Sequence, residues 1–149
     1  MKRILIAIDG GALSEKTARA GYDLAKATSA EIALVYVVDP EIVVGEGGYT
    51  AADLINISIQ QGREILEKLK RDFGSENVWL FTEAGNPAKT IIKLTKDWNA
   101  DIIVIGTHGR KGISHLLMGS VAEHVIRHSS VPVLVIPANF NGWIQQSYS

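Results

Sequence analysis

The sequence predicts a single α/β domain in which helices cover both faces of a parallel β-sheet. Five short apolar runs carry no polar alternation, which is typical of strands buried on both faces. Stretches with helical spacing separate these runs, and this alternation favours βαβ units. The 149 residues suffice for about one domain with one hydrophobic core. The five predicted strands are Ile4 to Ile8, Ile32 to Val38, Val78 to Phe81, Ile102 to Ile105 and Val133 to Ile136.

Four helices are predicted between these strands, and boundary signals mark the starts of three of them. Thr50 and Asp53 have the spacing of a capping box at the start of the second helix. Asn86-Pro87 combines a capping residue with a proline at the first position of the third helix. Gly119-Ser120 opens the fourth helix, and Ser120 to Glu123 has the spacing of another capping box. The glycine-rich segment Pro40 to Tyr49 is predicted to be a flexible loop after the second strand.

We assign residues 1 to 137 to the domain and residues 138 to 149 to a C-terminal tail. The tail carries Phe140, Trp143 and Tyr148, and a disordered tail seldom keeps three aromatic residues. We therefore expect it to dock on its own subunit or on a neighbouring one.

Composition argues against several classes of function. There are 15 basic and 16 acidic residues and no Lys/Arg block, so we expect no general binding to nucleic acid or to an anionic membrane surface. The chain has no cysteine, which excludes disulfides, thiolate zinc sites and a cysteine nucleophile. No segment approaches the roughly 20 apolar residues of a membrane span. We expect a cytoplasmic protein.

Polar and glycine residues follow the predicted strands, where open parallel sheets bind ligands. Asp9 follows the first strand, and Gly106 to Gly109 follow the fourth. If these strands are neighbours, both segments face one crevice. The glycines let the backbone approach an anion, and free N–H groups of Gly119, Ser120 and Val121 at a helix N-terminus suit a phosphate.

Another interpretation of the same residues needs no ligand. Glycines after strands often only turn the chain, and a capping box satisfies a helix by itself. The chain has no G-x-x-x-x-G-K-[ST] motif, and Gly45 to Gly48 fail the G-x-G-x-x-G pattern because Thr50 occupies the last glycine position. From the residues alone, a phosphate seat and ordinary chain turns both remain open.

The segment Ala100 to Ile136, "ADIIVIGTHGRKGISHLLMGSVAEHVIRHSSVPVLVI", resembles the C-terminal signature of the universal stress protein family. The ATP-binding branch of that family shows G-x2-G-x9-G-[ST], matched here by Gly106, Gly109, Gly119 and Ser120. The opening "ILIAIDGGALSEKTARA" and the strand "EIALVYVVDP" extend the resemblance over nearly the whole chain before Ala138.

The resemblance implies a Rossmann-like fold of the adenine nucleotide alpha hydrolase type, with strand order 3-2-1-4-5. It also implies an ATP site, or an AMP or ADP site, with Mg²⁺ or Mn²⁺ held mainly by the phosphates. Asp9 would accept hydrogen bonds from the ribose, Val37 would meet the adenine through its backbone, and Ala7 and Ile8 would line the base pocket. The implied contacts to ribose and phosphates are Gly106, His108, Gly109, Arg110, Gly119, Ser120 and Val121, with Lys111 as a further candidate. Relatives often carry a serine soon after Asp-Gly, where this chain has Gly11-Ala12-Leu13.

His124 and His128 are four residues apart on one predicted helix, which is the spacing of paired zinc ligands. The residues between them supply no Glu for H-E-x-x-H, and no third ligand is evident, so we interpret the pair as structural. His108 lies in the proposed cleft and could contact phosphate, but its residue type alone does not make it a general base. We expect no metal site built by protein side chains.

The residues assemble no nucleophile, paired carboxylates or positioned base. Phosphoryl transfer needs an aligned nucleophile, so we expect a nucleotide-dependent switch or sensor in the stress response, with slow ATP hydrolysis at most. A weak ATP hydrolase, or an interaction module without nucleotide, is the alternative.

The final strand, Val133 to Ile136, is expected at a sheet edge, and the resemblance implies a homodimer through it. The identity of any protein partner is not encoded in a recognisable motif.

Overall fold

The computed structural model describes residues 1–43, 47–107 and 118–143. Strands and helices alternate along the described chain, as the apolar runs predict. The elements are β1 Arg3–Ile8, α1 Ser14–Thr28, β2 Glu31–Val38, α2 Ala51–Phe73, β3 Val78–Ala84, α3 Pro87–Asp97, β4 Ile102–Gly106, α4 Ser120–His128 and β5 Val133–Ile136.

The five strands form one sheet in the order β3-β2-β1-β4-β5, which confirms the predicted order. All four strand pairs are parallel. On β1, Ile6 lies opposite Leu34 of β2 on one side and Val104 of β4 on the other. From β1 the strands are added toward one edge of the sheet as β2 and β3, and toward the other edge as β4 and β5. The strand order therefore reverses between β1 and β4, and this is the switch point where such sheets bind ligands.

The central strand β1 is buried on both faces of the sheet, which explains its unbroken apolar sequence. Ile4, Ile6 and Ile8 belong to the core shared with α1 and α2. Leu5 points to the opposite face and packs in the core shared with α3 and α4. The helices thus form one layer on each face of the sheet, as expected.

The edge strand β3 departs from the prediction of burial on both faces. Trp79 is 56% exposed, although the apolar run predicted a buried residue there. The strand also continues beyond Phe81 to Ala84. β3 is an edge strand, and the helix layer does not fully cover the face of the sheet to which Trp79 points, so this side chain stays in contact with solvent.

Two of the three predicted helix starts have the expected caps. Thr50 and Asp53 exchange both capping-box hydrogen bonds, and the Asn86 side chain accepts from the backbone N–H of Lys89. The predicted capping box at Ser120 is wrong. Gly119 is the N-cap of α4, with φ −70° and ψ 157°, and no side chain caps this helix. Ser120 already has the first helical position, so its side chain does not lie where a cap is needed.

The first residues of the tail pack against α1 of the same chain. Phe140 is half-buried against the core shared with α1 and α2, and its ring meets that of Trp143 edge to face with centroids 5.6 Å apart. The Trp143 Nε1–H donates to the carbonyl of Ala20 over 3.3 Å, and Lys16 Nζ donates to the carbonyl of Ala138 over 2.8 Å. Tyr148 lies outside the described residues.

Replacing Phe140 by alanine is expected to lower the free energy of unfolding by about 1 to 2 kcal/mol. This is less than the transfer free energy of a fully buried aromatic side chain, because Phe140 is only half-buried. Urea denaturation measures the change. The control is Trp79→Ala, which removes a larger aromatic from the exposed edge and should cost less. Equal effects of the two substitutions would contradict docking of the tail.

Asp101 joins the N-terminus of the chain to the start of β4. Its Oδ2 accepts hydrogen bonds from the backbone N–H of Lys2 over 2.7 Å and of Arg3 over 2.9 Å. These two hydrogen bonds, of which the one from Lys2 has the larger effect, hold the pKa of Asp101 below its ordinary value of 3.8.

A carboxylate with a depressed pKa in the folded state stabilises the fold above its ordinary pKa, and loses this effect as the pH falls through the folded value. Asp101→Asn should therefore be less stable than wild type at neutral pH, and the difference should shrink below pH 3.8. Thermal unfolding across pH, with Asp97→Asn on α3 as the exposed control, measures it. A difference that is constant with pH would exclude this role.

None of the helices in the described part of the chain combines the length and apolar character of a membrane span.

Candidate functional site

The carboxyl ends of β1 and β4 lie side by side and place Asp9 at the switch point. Ile6 is opposite Val104, and each strand continues two residues further, to Ile8 and to Gly106. The two strands therefore end at the same level. Asp9, the next residue after β1, is half-buried beside the end of β4.

The predicted base-pocket residues divide between the two faces of the sheet. Ala7 and Val37 both pack toward the core shared with α3 and α4, whereas Ile8 is buried in the core shared with α1 and α2. Ala7 pairs with Val35, so Val37 lies two residues further along the neighbouring strand on the same face. Ala7 and Val37 can line one pocket with their side chains, but Ile8 can join them only through its backbone.

The turn between β1 and α1 holds the Asp9 carboxylate in place. Its Oδ1 accepts from the backbone N–H of Gly11 over 2.8 Å and from the hydroxyl of Ser14 over 3.1 Å. The Ser14 Oγ in turn accepts from the backbone N–H of Gly10 over 3.0 Å. Gly10 has φ +81°, a conformation that favours glycine and forms this tight turn.

Ser14 is a residue that the sequence reasoning missed. The serine expected just after Asp-Gly is absent, but Ser14 reaches back to Asp9 from the first turn of α1. It is only 7% exposed. The signal available in the sequence was a hydroxyl residue at the start of the helix that follows Asp9.

The N-terminus of α4 supplies backbone donors beside the end of β4. The Gly119 N–H, predicted to be free, donates to the carbonyl of Thr107 over 2.5 Å, so it is not an available phosphate donor in this structure. The first bond to the helix start is from Glu123 N–H to the Gly119 carbonyl. The helix geometry gives the N–H groups of Ser120, Val121 and Ala122 no acceptor within α4. The candidate phosphate donors at this helix are therefore the N–H groups in the first turn after Gly119.

Four predicted contacts, His108, Gly109, Arg110 and Lys111, lie outside the described residues. Their roles stay predictions. Gly106 ends β4 and Thr107 follows it, so the structure describes both ends of the glycine segment, Gly106 and Gly119, without its middle.

The two histidines of α4 lie close together, with ring centroids 4.3 Å apart. Within the described ranges, no group of three side chains of metal-ligand type is assembled. The neighbouring Glu123 carboxylate pairs with Arg127 over 2.8 Å. The structure thus gives His124 and His128 no third ligand among the described residues.

Two surface clefts lie away from the carboxyl ends of β1 and β4. One of about 450 Å³ lies between α1, α2 and the tail, and includes Arg19, Phe73 and Phe140. Another of about 350 Å³ lies beside β3 and includes Arg63, Phe81 and Glu83. Neither is lined by a predicted site residue. No buried side-chain polar atom among the described residues lacks a hydrogen-bond partner.

A five-stranded parallel sheet with an oriented carboxylate at its switch point defines a Rossmann-like α/β protein. The chain belongs to the universal stress protein family, whose family model matches residues 1–137. A universal stress protein of Methanocaldococcus jannaschii is 37% identical over 138 residues, which cover 91% of this chain and 81% of that protein.

Solved structures of the family share the fold. The universal stress protein UspA from Lactobacillus plantarum has a TM-score of 0.80 and 20% identity, and the match covers 91% of this chain and 97% of that one. A universal stress protein in complex with cAMP has a TM-score of 0.66 and 22% identity, covering 91% and 96% of the two chains. The Archaeoglobus fulgidus protein in complex with dAMP has a TM-score of 0.63 and 23% identity, covering 91% and 97%.

Proposed function

We propose that this protein binds ATP, or AMP or ADP, at the carboxyl ends of β1 and β4 and acts as a nucleotide-dependent switch in the stress response. The observation that carries the proposal is the position of Asp9, an oriented carboxylate at the switch point and beside the end of β4. A carboxylate there suits the hydroxyl groups of a ribose, because it accepts charge-assisted hydrogen bonds. The family members in complex with cAMP and dAMP support an adenine nucleotide.

The surrounding residues divide the nucleotide between them. Val37 meets the adenine through its backbone at the end of β2, beside Ala7. The N–H groups of Ser120 and Val121 donate to the phosphates, which the positive end of the α4 dipole also favours. By the family pattern, Gly106, His108, Gly109 and Arg110 complete the contacts to ribose and phosphates. Mg²⁺ or Mn²⁺ is held mainly by phosphate oxygens, because magnesium sites with a nucleotide use few protein ligands.

Competition among nucleotides tests this proposal. The protein is mixed with equal concentrations of ATP, GTP, CTP and UTP and analysed by native mass spectrometry. We expect the mass of one ATP per subunit. Equal adducts of all four nucleotides would favour a generic phosphate seat, and the absence of any adduct would contradict a nucleotide site.

We expect switching rather than turnover. The hydrogen-bond partners of Asp9 Oδ1 among the described residues are the Gly11 N–H and the Ser14 hydroxyl, and neither is a general base. Limited proteolysis between residues 40 and 49 tests the switch, with ATP expected to change the cleavage rate. Release of phosphate that disappears in a Gly109→Ala variant would instead favour the weak hydrolase.

We also propose a homodimer joined through β5. This strand lies at the sheet edge, with Val133, Leu134 and Val135 only half-buried, and an open apolar edge favours pairing with a second copy. Sedimentation at micromolar concentration is expected to give twice the mass of the chain, and the mass of a single chain would contradict it. We place this dimer in the cytoplasm with a protein partner and without nucleic acid.

A further inference from the structure

We infer that Ser14 is a positioning residue that orients the Asp9 carboxylate toward the ribose. This inference rests on the proposed nucleotide site. Ser14 lies at the start of α1, five residues after Asp9, and its side chain crosses the turn to contact both Asp9 and Gly10. Its 7% exposure separates these hydrogen bonds from competing water.

The direction of the Ser14 hydroxyl follows from its partners. The Gly10 N–H donates to Ser14 Oγ over 3.0 Å, so the oxygen acts as an acceptor on that side. The single hydroxyl proton is then directed to Asp9 Oδ1, 3.1 Å away. A backbone amide, a hydroxyl and a carboxylate form a short chain of hydrogen bonds that ends on the ligand-binding group.

This chain of bonds fixes the second carboxylate oxygen. The side-chain torsion next to a carboxylate is broad, so an unrestrained Asp9 would sample many orientations. Two donors on Oδ1, the Gly11 N–H and the Ser14 hydroxyl, restrain that torsion. In the described ranges the donors to Asp9 are both on Oδ1, so Oδ2 is the oxygen that we assign to the ribose hydroxyls. The entropy cost of orienting the carboxylate is then offset before the nucleotide binds.

A helix-capping role does not account for Ser14. The N-cap of α1 is Leu13, and no side chain caps this helix. Ser14 has the first helical position, and its hydroxyl contacts residues before the helix rather than the N–H groups within it. Its hydrogen bonds therefore serve the β1–α1 turn and the carboxylate of Asp9.

The test compares ATP with 2′,3′-dideoxyATP, which lacks both ribose hydroxyls, in calorimetric titrations of the full chain. Ser14→Ala is expected to lower ATP affinity about tenfold, the value of one hydrogen bond to a charged group. The affinity for dideoxyATP should stay within about twofold of wild type. Ser14→Thr keeps the hydroxyl and should retain discrimination between the two nucleotides. Ser75→Ala, remote from the site, serves as the matched control.

The outcomes separate this inference from the proposed function. Equal losses for ATP and dideoxyATP in Ser14→Ala would show a purely structural role and overturn the inference alone. An ATP affinity of Ser14→Ala equal to that of wild type would also overturn the inference alone. If wild type binds both nucleotides equally well, the ribose contact of Asp9 in the proposed function fails as well. Should Ser14→Ala not fold, the nearly isosteric Ser14→Cys, a weaker hydrogen-bond donor, is measured with the same expected result.

Discussion

Replacing Asp9 by asparagine is expected to weaken ATP binding by about 10- to 100-fold. Hydrogen bonds to a charged group are worth about 1.5 to 3 kcal/mol, and 1.4 kcal/mol corresponds to a factor of ten in affinity. Asparagine keeps the size of the side chain but removes its charge, and it presents an NH₂ group where the ribose needs an acceptor. Calorimetric titration of both proteins with ATP measures the difference.

The control is Asp97→Asn at the C-terminal end of α3, which removes one carboxylate near the amino end of β1, where Asp97 pairs with Lys93 on the surface. This change gives the chain the same net charge as Asp9→Asn, so a general electrostatic effect on ATP would appear in both variants. We expect ATP affinity within about twofold of wild type for Asp97→Asn, in keeping with the small energies of surface ion pairs. Equal ATP affinities of Asp9→Asn and Asp97→Asn would show that Asp9 does not contact the nucleotide.

Replacing Leu66 by alanine is expected to lower the free energy of unfolding by about 2 to 5 kcal/mol, the range for deletion of a buried leucine. Leu66 is fully buried, with 0% exposure, in the core that α2 shares with β1 and β2. Its removal leaves a cavity between the long helix and the sheet, because the surrounding structure relaxes only in part. Chemical denaturation monitored by circular dichroism measures this loss.

The same helix offers a matched control. Ile57→Ala removes an apolar side chain of equal size that is 42% exposed, so its cost should remain well below that of Leu66→Ala. If the two variants lose equal stability, α2 does not pack on the sheet through Leu66. Isoleucine is a poorer helix former than leucine, so the change in helix propensity also favours the smaller loss for Ile57→Ala.

The features that could be predicted from the sequence are those determined by local patterns. Unbroken apolar runs identify β1, β2 and β4 because burial on both faces leaves no place for polar residues. Thr50 and Asn86 are recognisable as caps because each side chain bonds a backbone group three residues away. The position of Asp9 directly after β1 also follows from the end of the apolar run, and its ligand role stays a prediction.

The rest depends on contacts that local patterns do not encode. The exposure of Trp79 follows from the position of β3 at the sheet edge, and its own sequence resembles that of a central strand. The Gly119 N–H donates to the carbonyl of Thr107, twelve residues earlier in the chain. One of the N–H groups that the sequence predicted to be free at this helix start therefore already has an acceptor. Ser14 acts through the shape of a glycine turn, which brings its hydroxyl to Asp9.

The position of the ligand is the central claim, and the backbone amide spectrum of ¹⁵N-labelled protein tests it most directly. On addition of ATP we predict the largest chemical-shift changes at Gly10, Gly11, Ser120 and Val121, around the carboxyl ends of β1 and β4. Changes concentrated at Phe73 and Gly142 instead would place the nucleotide in the cleft beside the tail and contradict the site proposed for this protein.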